Sequence, residues 1–265
     1  MLINQGGLLK EETDQWFSSS TKGWWNCMIA NDFDKDGDTD LVVGNYGLNN
    51  QFNVSVENPA TLIYKDFNSD GQVDPFFCYY INGKSYPYAS RDEALGQVSF
   101  LKPRFPDYTS YANATMETIF TEAELKDVTT LRADILKTVY LENKGNKFEI
   151  IDLPIQAQFS PVYTMAAWDV DQDGDQDIVM AGNETLVRAR IGKTDANKGF
   201  VFLNDGKGKF TYVPQNKSGL DLGGDIRQLL FIPAKDRTHL LVGEIGKTIR
   251  RFTLDNKTNS NSTAQ

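Results

Sequence analysis

Apolar and polar residues alternate on both sides of short glycine-containing turns at three places along the chain. These stretches are residues 2–12, 139–154 and 201–214, and each carries an Asn-Gly-type turn between two apolar runs. Alternation with a period of two indicates strands, and such a turn between two strands is a strong hairpin signal. The pattern therefore predicts three β-hairpins.

A second pattern joins two apolar strands through a polar loop. It occurs at residues 24–45 and 163–183, with a looser copy at 60–80 and a degenerate copy at 225–244 whose loop has lost its acidic residues. A hairpin precedes such a strand pair by 26–28 residues in two places. A hairpin followed by a strand pair gives four strands, and four-stranded sheets repeated about an axis form the blades of a β-propeller. We therefore expect an all-β fold, a β-propeller with about four blades.

Residues 89–128 break the β pattern and read as two or three short helices inserted between strands of the second repeat. Two capping boxes stand in this stretch, Ser90 with Glu93 and Thr121 with Glu124. In a capping box the two side chains satisfy free N–H groups at the start of a helix. We therefore predict a helical insertion within a propeller domain.

Length and composition set the domain limits. The chain has 265 residues, of which 40% are hydrophobic, so it can bury a sizeable core. We assign residues 1–254 to the propeller and expect residues 255–265 to be disordered, because that segment has almost nothing to bury. The sequence contains no run of about 18 apolar residues, so we expect no membrane-spanning segment.

Cys27 and Cys78 allow one disulfide, although their apolar flanks favour two buried free thiols.

Charge is concentrated in three loops. The formal net charge is −9, which argues against nucleic acid or an anionic membrane as the main partner. Thirteen of the 36 acidic residues lie within residues 32–40, 66–74 and 169–177, which we call loop 1, loop 2 and loop 3. Without those thirteen carboxylates the formal charge of the chain would be +4. The acidity is therefore a local property of these loops.

The three loops share the pattern D-x-[DN]-x-[DN]-G-x-x-D. Oxygens at positions 1, 3 and 5 converge on one point, glycine at position 6 permits a sharp turn, position 7 offers its backbone carbonyl, and position 9 closes the shell. Hard oxygen ligands in this number suit Ca²⁺ better than Mg²⁺, which keeps its waters. The predicted ligands, with position 7 acting through its carbonyl, are Asp32, Asp34, Asp36, Asp38 and Asp40 in loop 1; Asp66, Asn68, Asp70, Gln72 and Asp74 in loop 2; and Asp169, Asp171, Asp173, Asp175 and Asp177 in loop 3.

An EF-hand is excluded for these loops. That motif needs a bidentate glutamate at position 12 and flanking helices, whereas position 12 here is Val43, Phe77 or Met180 within an apolar strand. The plainer alternative is a set of solvated Asp-Gly turns. Three copies with glycine at the same position, each followed by a strand, favour about three structural calcium sites instead.

The acidic loop followed by "DLVVGN" or "DIVMAGN" resembles the FG-GAP/VCBS repeat proteins, calcium-loop β-propellers related to the head of integrin α chains. The hairpin sequence "NDGKGKF" also matches that family, and the resemblance covers nearly the whole chain apart from the helical insertion and the tail. "GWWN" (23–26) and "YPYASRDE" (86–93) further resemble a surface branch from Bacteroidetes related to cartilage acidic protein. Propellers of this family usually have about seven blades. The chain is therefore expected to be part of a larger ring or to associate through incomplete propeller edges.

The resemblance implies a non-catalytic binding or adhesion module, stabilised by calcium and located outside the cell, at the cell surface or on the outer membrane. Its expected partners are a protein or glycan ligand, or other subunits of an outer-membrane complex. One alternative is a structural subunit of such an assembly that docks through residues 89–128. The other is a calcium-dependent polysaccharide lyase or hydrolase, for which the candidate residues are Tyr79, Tyr80, Tyr86, Tyr88 and Arg91.

Overall fold

The computed structural model describes residues 1–235 and 237–255. Strands make up 39% of the structure and helices 13%, which confirms a mostly β protein. Every pairing between named strands is antiparallel. In chain order the strands of the described residues are β1 (Leu2–Gln5), β2 (Leu8–Glu11), β3 (Cys27–Asn31), β4 (Asp40–Gly44), β5 (Ala60–Lys65), β6 (Asp74–Ile81), β7 (Lys84–Pro87), β8 (Thr129–Ala133), β9 (Val139–Asn143), β10 (Phe148–Asp152), β11 (Val162–Trp168), β12 (Asp177–Gly182), β13 (Phe200–Asn204), β14 (Phe210–Val213), β15 (Ile226–Pro233), β16 (Arg237–Glu244) and β17 (Arg250–Asp255).

The helices are all short, and none in the described part of the chain is long and apolar enough to cross a membrane. Of the segment predicted to be disordered, Asp255 ends β17 and the remainder lies outside the described residues. The α-helices are α1 (Thr13–Trp16), α2 (Arg91–Gln97), α3 (Tyr108–Tyr111), α4 (Met116–Ile119), α5 (Glu122–Leu125) and α6 (Gln215–Ser218), and 3₁₀ turns cover Ser99–Leu101 and Ile155–Gln158.

The strands form five sheets. Their orders are β1-β2, β10-β9-β4-β3, β7-β6-β5-β8, β11-β12-β13-β14 and β15-β16-β17. All three predicted hairpins are present, as β1/β2, β9/β10 and β13/β14. The four predicted strand pairs are also present, as β3/β4, β5/β6, β11/β12 and β15/β16.

The predicted grouping of hairpins with strand pairs is wrong. We expected each hairpin to precede the strand pair of its own sheet, but β3/β4 joins the later hairpin β9/β10, and β11/β12 joins the later hairpin β13/β14. The physical reason is lateral pairing between apolar strands: Leu41 of β4 lies opposite Leu141 of β9. The long stretch of chain between β4 and β9 is inserted between two halves of one sheet, which hid this pairing from the sequence spacing.

The described chain divides into two compact units. Unit 1 contains residues 1–19, 24–49 and 137–255, and unit 2 contains residues 20–23 and 50–136. Unit 2 is therefore an insertion into unit 1. The assignment of residues 1–254 to one propeller domain stays a prediction.

The core of unit 1 shows why β12 reads as a continuous apolar run. Its alternate residues face two different clusters: Ile178 and Met180 pack with Val42 of β4, whereas Val179 and Ala181 pack with Leu240 of β16. The sheet β11-β12-β13-β14 is thus covered on both faces. A strand buried on both faces needs apolar side chains at every position, so the alternation that marks a half-exposed strand disappears.

In unit 2 the helical insertion packs on one face of β6. Phe76 and Cys78 are fully buried against residues of the helices, among them Ile119. Both predicted capping boxes are present, at the start of α2 and of α5. The insertion differs from the prediction in having four α-helices and one 3₁₀ turn between β7 and β8. A bidentate ion pair joins the middle of the insertion to its last helix: Arg104, between the 3₁₀ turn and α3, donates to Glu124 of α5 at 2.7 and 2.8 Å.

Both cysteines are free thiols. Cys78 is fully buried and Cys27 partly buried, and burial raises the pKa of each thiol to about 12. These thiols are therefore protonated at neutral pH and unreactive as nucleophiles.

Candidate metal centres

Each acidic loop connects two neighbouring strands, and its last aspartate ties it down. The carboxylate at position 9 accepts a hydrogen bond from the backbone N–H at position 2, at 3.1 Å in loop 1, 2.9 Å in loop 2 and 2.7 Å in loop 3. These aspartates, Asp40, Asp74 and Asp177, are no more than 3% exposed. Because a buried carboxylate needs partners, this bond both satisfies the side chain and closes the loop.

The turn at the centre of each loop has the geometry that the glycine predicts. Gly37, Gly71 and Gly174 have φ angles of 95°, 86° and 93°, and each N–H donates to the carboxylate at position 1, at 2.9–3.1 Å. Position 4 is also left-handed in all three loops, with φ of 60–64°, although no glycine stands there. The residue types at position 4, Lys35, Ser69 and Gln172, do not indicate this second left-handed residue.

Two of the three loops bring acidic side chains together. Asp32, Asp34 and Asp40 of loop 1 each place a carboxylate oxygen within 4.8 Å of the others, and the same holds for Asp169, Asp171 and Asp173 of loop 3. Both groups can hold a metal ion. The two clusters are not identical, because loop 1 uses the carboxylate at position 9 and loop 3 uses the one at position 5.

The remaining predicted ligands of these two loops lie outside the clusters. The carboxylate of Asp36 accepts a hydrogen bond from the N–H at position 7, at 2.8 Å. Its equivalent in loop 3, Asp173, accepts the same bond at 2.9 Å although it belongs to the loop 3 cluster. Both oxygens of Asp177 are taken up by backbone N–H groups, of Val170 at 2.7 Å and Asn204 at 2.9 Å. The carboxylate of Asp38 is exposed, as expected of a residue whose predicted ligand is its backbone carbonyl.

Loop 2 keeps the backbone hydrogen bonds but has no cluster of three acidic side chains among the described residues. Asn68 stands at position 3, and its amide oxygen accepts from Asp70 N–H at 2.9 Å. Its amide nitrogen donates to the Asp70 carboxylate at 3.0 Å and to the Gln97 carbonyl at 3.2 Å. In loop 2 the neutral Asn68 amide thus holds the loop together by hydrogen bonds. In loops 1 and 3 a bound cation would do so by attracting the carboxylates.

The electrostatics of the clusters fit a cation. Oδ1 of Asp32 is shielded from solvent and accepts no hydrogen bond from any described residue. Burial, together with the neighbouring carboxylates, raises the pKa of Asp34 to about 6. Burial likewise raises the pKa of Asp177 to about 6, and the pKa values of Asp74 and Asp171 are raised for the same reason. A divalent cation would neutralise this charge and supply the partner that the Asp32 oxygen lacks.

The neighbouring hairpins support the buried aspartates, and the sequence analysis missed this role. In loop 1, Asp40 accepts from the Tyr140 hydroxyl at 2.7 Å and from Asn143 N–H at 2.8 Å. In loop 3, Asn204 N–H occupies the place that Asn143 N–H has in loop 1. The available signal was an asparagine at the end of the first strand of both hairpins, before the glycine-containing turn.

Loops 1 and 3 also contact each other within unit 1. Lys35, at position 4 of loop 1, forms an ion pair with the carboxylate of Asp175 in loop 3. Asn31 donates to Gln176 at 3.4 Å, and the amide of Asn204 donates to the Phe33 carbonyl at 2.7 Å. The pKa of Lys35 is raised by its hydrogen bond to Asp175 and by the other acids of loop 3. Loop 1 therefore contributes a positive charge to the rim of loop 3.

The five residues considered for polysaccharide chemistry do not form one site: the tyrosines lie on or beside β6 and β7, and Arg91 contacts the helical insertion. Tyr79 and Tyr86 face each other across β6 and β7, and Tyr80 lies opposite Ser85. Tyr88 packs in an aromatic group with Phe52, Phe77 and Tyr79.

Arg91, the remaining residue of that set, is occupied by the helical insertion. It donates to the carbonyls of Phe105 at 2.9 Å and Pro106 at 3.0 Å, and it pairs with Asp92. These contacts hold the segment after α2 in place, so Arg91 acts as a structural residue.

No protein-family model matches the chain, and no curated protein matches it with significance. The resemblance to FG-GAP/VCBS repeats consequently stays a prediction, and the geometry of the loops carries the functional argument.

Proposed function

We propose that this chain is a calcium-stabilised, non-catalytic binding module that works outside the cell. The observation that carries this proposal is the pair of carboxylate clusters in loops 1 and 3, with the buried, unbonded Oδ1 of Asp32 in the first. In a solvated Asp-Gly turn water reaches every acceptor, so a buried carboxylate oxygen without a hydrogen bond is not expected there.

The residues that would hold the ions differ between the loops. Asp32, Asp34 and Asp40 would hold an ion in loop 1, and Asp169, Asp171 and Asp173 would hold one in loop 3. Loop 2 would provide a weaker third site through Asp66, Asp70, Asp74 and the amide oxygen of Asn68. Bound calcium supplies positive charge and oxygen coordination there. Its role is structural, because each loop fixes the connection between two strands of one sheet.

The contacts inside unit 1 support a propeller arrangement of its sheets. β3, β11 and β15 are the first strands of three sheets, and they lie side by side. The Cys27 thiol of β3 contacts the Val162 carbonyl of β11 at 3.5 Å, and Leu229 N–H of β15 donates to the Thr164 hydroxyl of β11 at 3.1 Å. Adjacent first strands with antiparallel sheets leading outward are the arrangement of neighbouring propeller blades.

The proposed location follows from the strength of such sites. Calcium sites in extracellular modules bind with dissociation constants of about 10⁻⁴–10⁻³ M, which are filled where calcium is millimolar and empty in the cytosol. At ten times the dissociation constant, one site adds about 1.4 kcal/mol to the free energy of unfolding. We therefore place the protein at the cell surface or on the outer membrane, where it binds a protein or glycan ligand or other subunits.

The proposal is tested by calcium titrations of wild type and two variants of loop 1. Asp34→Asn removes a clustered carboxylate, whereas Asp38→Asn removes an exposed carboxylate of the same loop and serves as the matched control. Melting temperature is measured in EDTA, in millimolar magnesium and in millimolar calcium, and the bound ions are counted by calorimetry.

Wild type and Asp38→Asn should both gain several degrees in calcium but not in magnesium, as expected for RT ln(1 + [L]/Kd) at two or three sites. Asp34→Asn gives position 3 of loop 1 the amide that loop 2 has, so it should weaken the loop 1 site and lose part of the gain in melting temperature. Equal melting temperatures of wild type in EDTA and in calcium would refute the proposal.

A further inference from the structure

A cavity of about 520 Å³ lies beside β7, the edge strand of the sheet in unit 2. Residues of β6, β7 and the turn between them line one part of it, and residues 111–114, from the end of α3 onward, line another. Its size is within the range of about 300–1,000 Å³ that is usual for small-molecule sites. None of the acidic loops contributes to it, so it is separate from the metal centres.

Three aromatic rings stand among the apolar residues of the lining, beside Ile81, Pro87, Ala112 and Ala114. Tyr79 and Tyr86 are directly opposite each other on adjacent strands, so their side chains lie on the same face of the sheet. Tyr111 adds a third ring from the helical insertion. Tyrosine offers a flat apolar face together with a polar hydroxyl, which suits a ligand that is apolar on its faces and polar at its edges.

The polar part of the lining includes two amide side chains with no competing partner among the described residues. The side chains of Asn82 and Asn113 are exposed and form no hydrogen bond with any described residue. An amide carries both donors and an acceptor, so the two together can bond several hydroxyl groups. A purely apolar ligand would leave these groups unused.

The cavity is cationic although the chain as a whole is acidic. Lys84 is exposed, lines the cavity and places its ammonium 5.4 Å from the centre of the Tyr86 ring. No acidic side chain is among the lining residues. A positive group without a negative neighbour favours an anionic ligand.

We propose that this cavity binds a short acidic oligosaccharide, with a sugar ring on Tyr79 and Tyr86, hydroxyl groups on Asn82 and Asn113, and a carboxylate on Lys84. Sugar rings combine apolar C–H faces with hydroxyl edges, and uronic acids add the carboxylate. The proposal names a ligand class for the binding module proposed above and rests on it for that role.

The experiment is calorimetry with tetragalacturonate and, as the neutral comparison, cellotetraose, at a free calcium concentration held constant by dialysis. We expect tetragalacturonate to bind and cellotetraose to bind about tenfold more weakly or not at all, because it lacks the carboxylate. Lys84→Gln should weaken tetragalacturonate binding about tenfold, while Lys102→Gln, an exposed lysine of unit 2 outside the cavity, should leave it unchanged.

The aromatic surface is tested by Tyr86→Ala and Tyr86→Phe. The alanine variant should abolish measurable binding, whereas the phenylalanine variant, which keeps the ring, should retain most of it. Asn113→Ala, at an exposed position that leaves the sheet intact, should weaken binding several-fold. Absence of tetragalacturonate binding to the folded wild type would overturn the proposal, as would binding unaffected by Lys84→Gln, Tyr86→Ala and Asn113→Ala.

The failure of this proposal can be distinguished from failure of the proposed calcium role. Melting temperature in EDTA and in calcium is recorded for the same protein samples. If calcium stabilises the protein and tetragalacturonate does not bind, only the assignment of the cavity fails. If tetragalacturonate binds through Lys84 and calcium has no effect, the cavity assignment stands and the calcium sites fail.

Discussion

Loops 1 and 3 lie in unit 1 and gather three carboxylates each, whereas loop 2 lies in unit 2 and holds its shape with an amide. All three have the same backbone turn, closed by glycine N–H bonds to position 1 and by a buried aspartate at position 9. The difference is therefore in charge and in surroundings. A loop pattern specifies a backbone conformation, and the neighbours of that loop set how strongly it needs a cation.

The surroundings differ most at position 9, and this gives the largest expected effect. Asp40 of loop 1 accepts hydrogen bonds from Phe33 N–H, the Tyr140 hydroxyl and Asn143 N–H, whereas Asp74 of loop 2 accepts from the N–H at position 2. In EDTA, Asp40→Ala should lower the free energy of unfolding by about 3–5 kcal/mol and Asp74→Ala by about 1–2 kcal/mol, since each buried donor left unpaired is costly.

Urea unfolding of the two variants beside wild type measures both losses. The exposed Asp38→Ala is the control and should change stability by less than about 0.5 kcal/mol. Equal losses for Asp40→Ala and Asp74→Ala would show that the hairpin contacts of loop 1 contribute nothing.

The raised pKa values predict opposite pH responses with and without metal. The pKa of Asp34 and that of Asp177 are about 6 in the metal-free fold, because burial disfavours the charged form, against an ordinary value of 3.8. The native state thus binds protons more tightly than the unfolded chain. Stability of the metal-free protein should rise as pH falls from 7 towards 5, by about 1–2 kcal/mol at about 1.4 kcal/mol per pKa unit, and most of the rise should come from Asp177 because solvent screens the less buried Asp34.

With calcium present the trend should reverse, because protons compete with the ion for the clustered carboxylates, Asp34 among them. Melting temperature at pH 7 and pH 5, in EDTA and in calcium, measures both trends. Arg104 holds the pKa of Glu124 at about 2, so the stability that this ion pair contributes is lost only as pH falls below about 4.5. Glu124 therefore does not affect the comparison between pH 7 and pH 5. A metal-free melting temperature that falls between pH 7 and pH 5 would contradict the burial of these two carboxyls. The double variant Asp34→Asn/Asp177→Asn should flatten the metal-free response.

A smaller effect is expected from giving loop 2 the charge of the other loops. Asn68→Asp should raise the calcium affinity of loop 2 about tenfold, because affinity in such loops follows the charge of the ligands. Gln72→Glu makes the same change in charge at position 7, where the predicted ligand is the backbone carbonyl, and should do less. Calorimetric titration measures both affinities. If Asn68→Asp and Gln72→Glu raise the calcium affinity equally, net charge near the loop sets the affinity and coordination by position 3 does not.

The smallest predicted effect concerns the contact between loops 1 and 3. Lys35→Met removes the ammonium that pairs with Asp175, so the affinity of loop 3 for calcium should rise about threefold while that of loop 2 stays unchanged. The pair is partly exposed, which keeps the change small. The effect should shrink at high salt. A fall in affinity on Lys35→Met would mean that the lysine positions loop 3 rather than opposing the cation.

Several features of the fold could be predicted because they depend on local chemistry. The hairpins follow from alternation around Asn-Gly-type turns, and the capping boxes of α2 and α5 follow from four residues close in sequence. The left-handed glycine of each acidic loop likewise follows from its position in the pattern. In each case the interacting groups are separated by only a few residues, so tertiary contacts do not decide the outcome.

The grouping of strands into sheets could not be predicted in the same way. The pairing of β4 with β9 joins strands that lie before and after most of unit 2 in the sequence. The similar spacing of 26–28 residues between a hairpin and the following strand pair suggested a different partner. Apolar strands of similar length look alike in the sequence, so the sequence does not show which of them pair. Which of them become neighbours depends on the packing of both faces of each sheet.

The positions of the acidic loops, the turns of their backbones and the charges they carry follow from the amino-acid sequence, because these properties are local. Which carboxylates converge follows only from the folded chain, since it depends on the Tyr140 hydroxyl and on backbone donors that fold against the loops from distant hairpins. The folded chain also brings Lys35 to loop 3 and places Tyr86 and Asn113 in the lining of the same cavity. The physical reason is the same throughout: hydrogen bonds and charge interactions act over a few ångströms in space, whatever the separation of the residues along the chain.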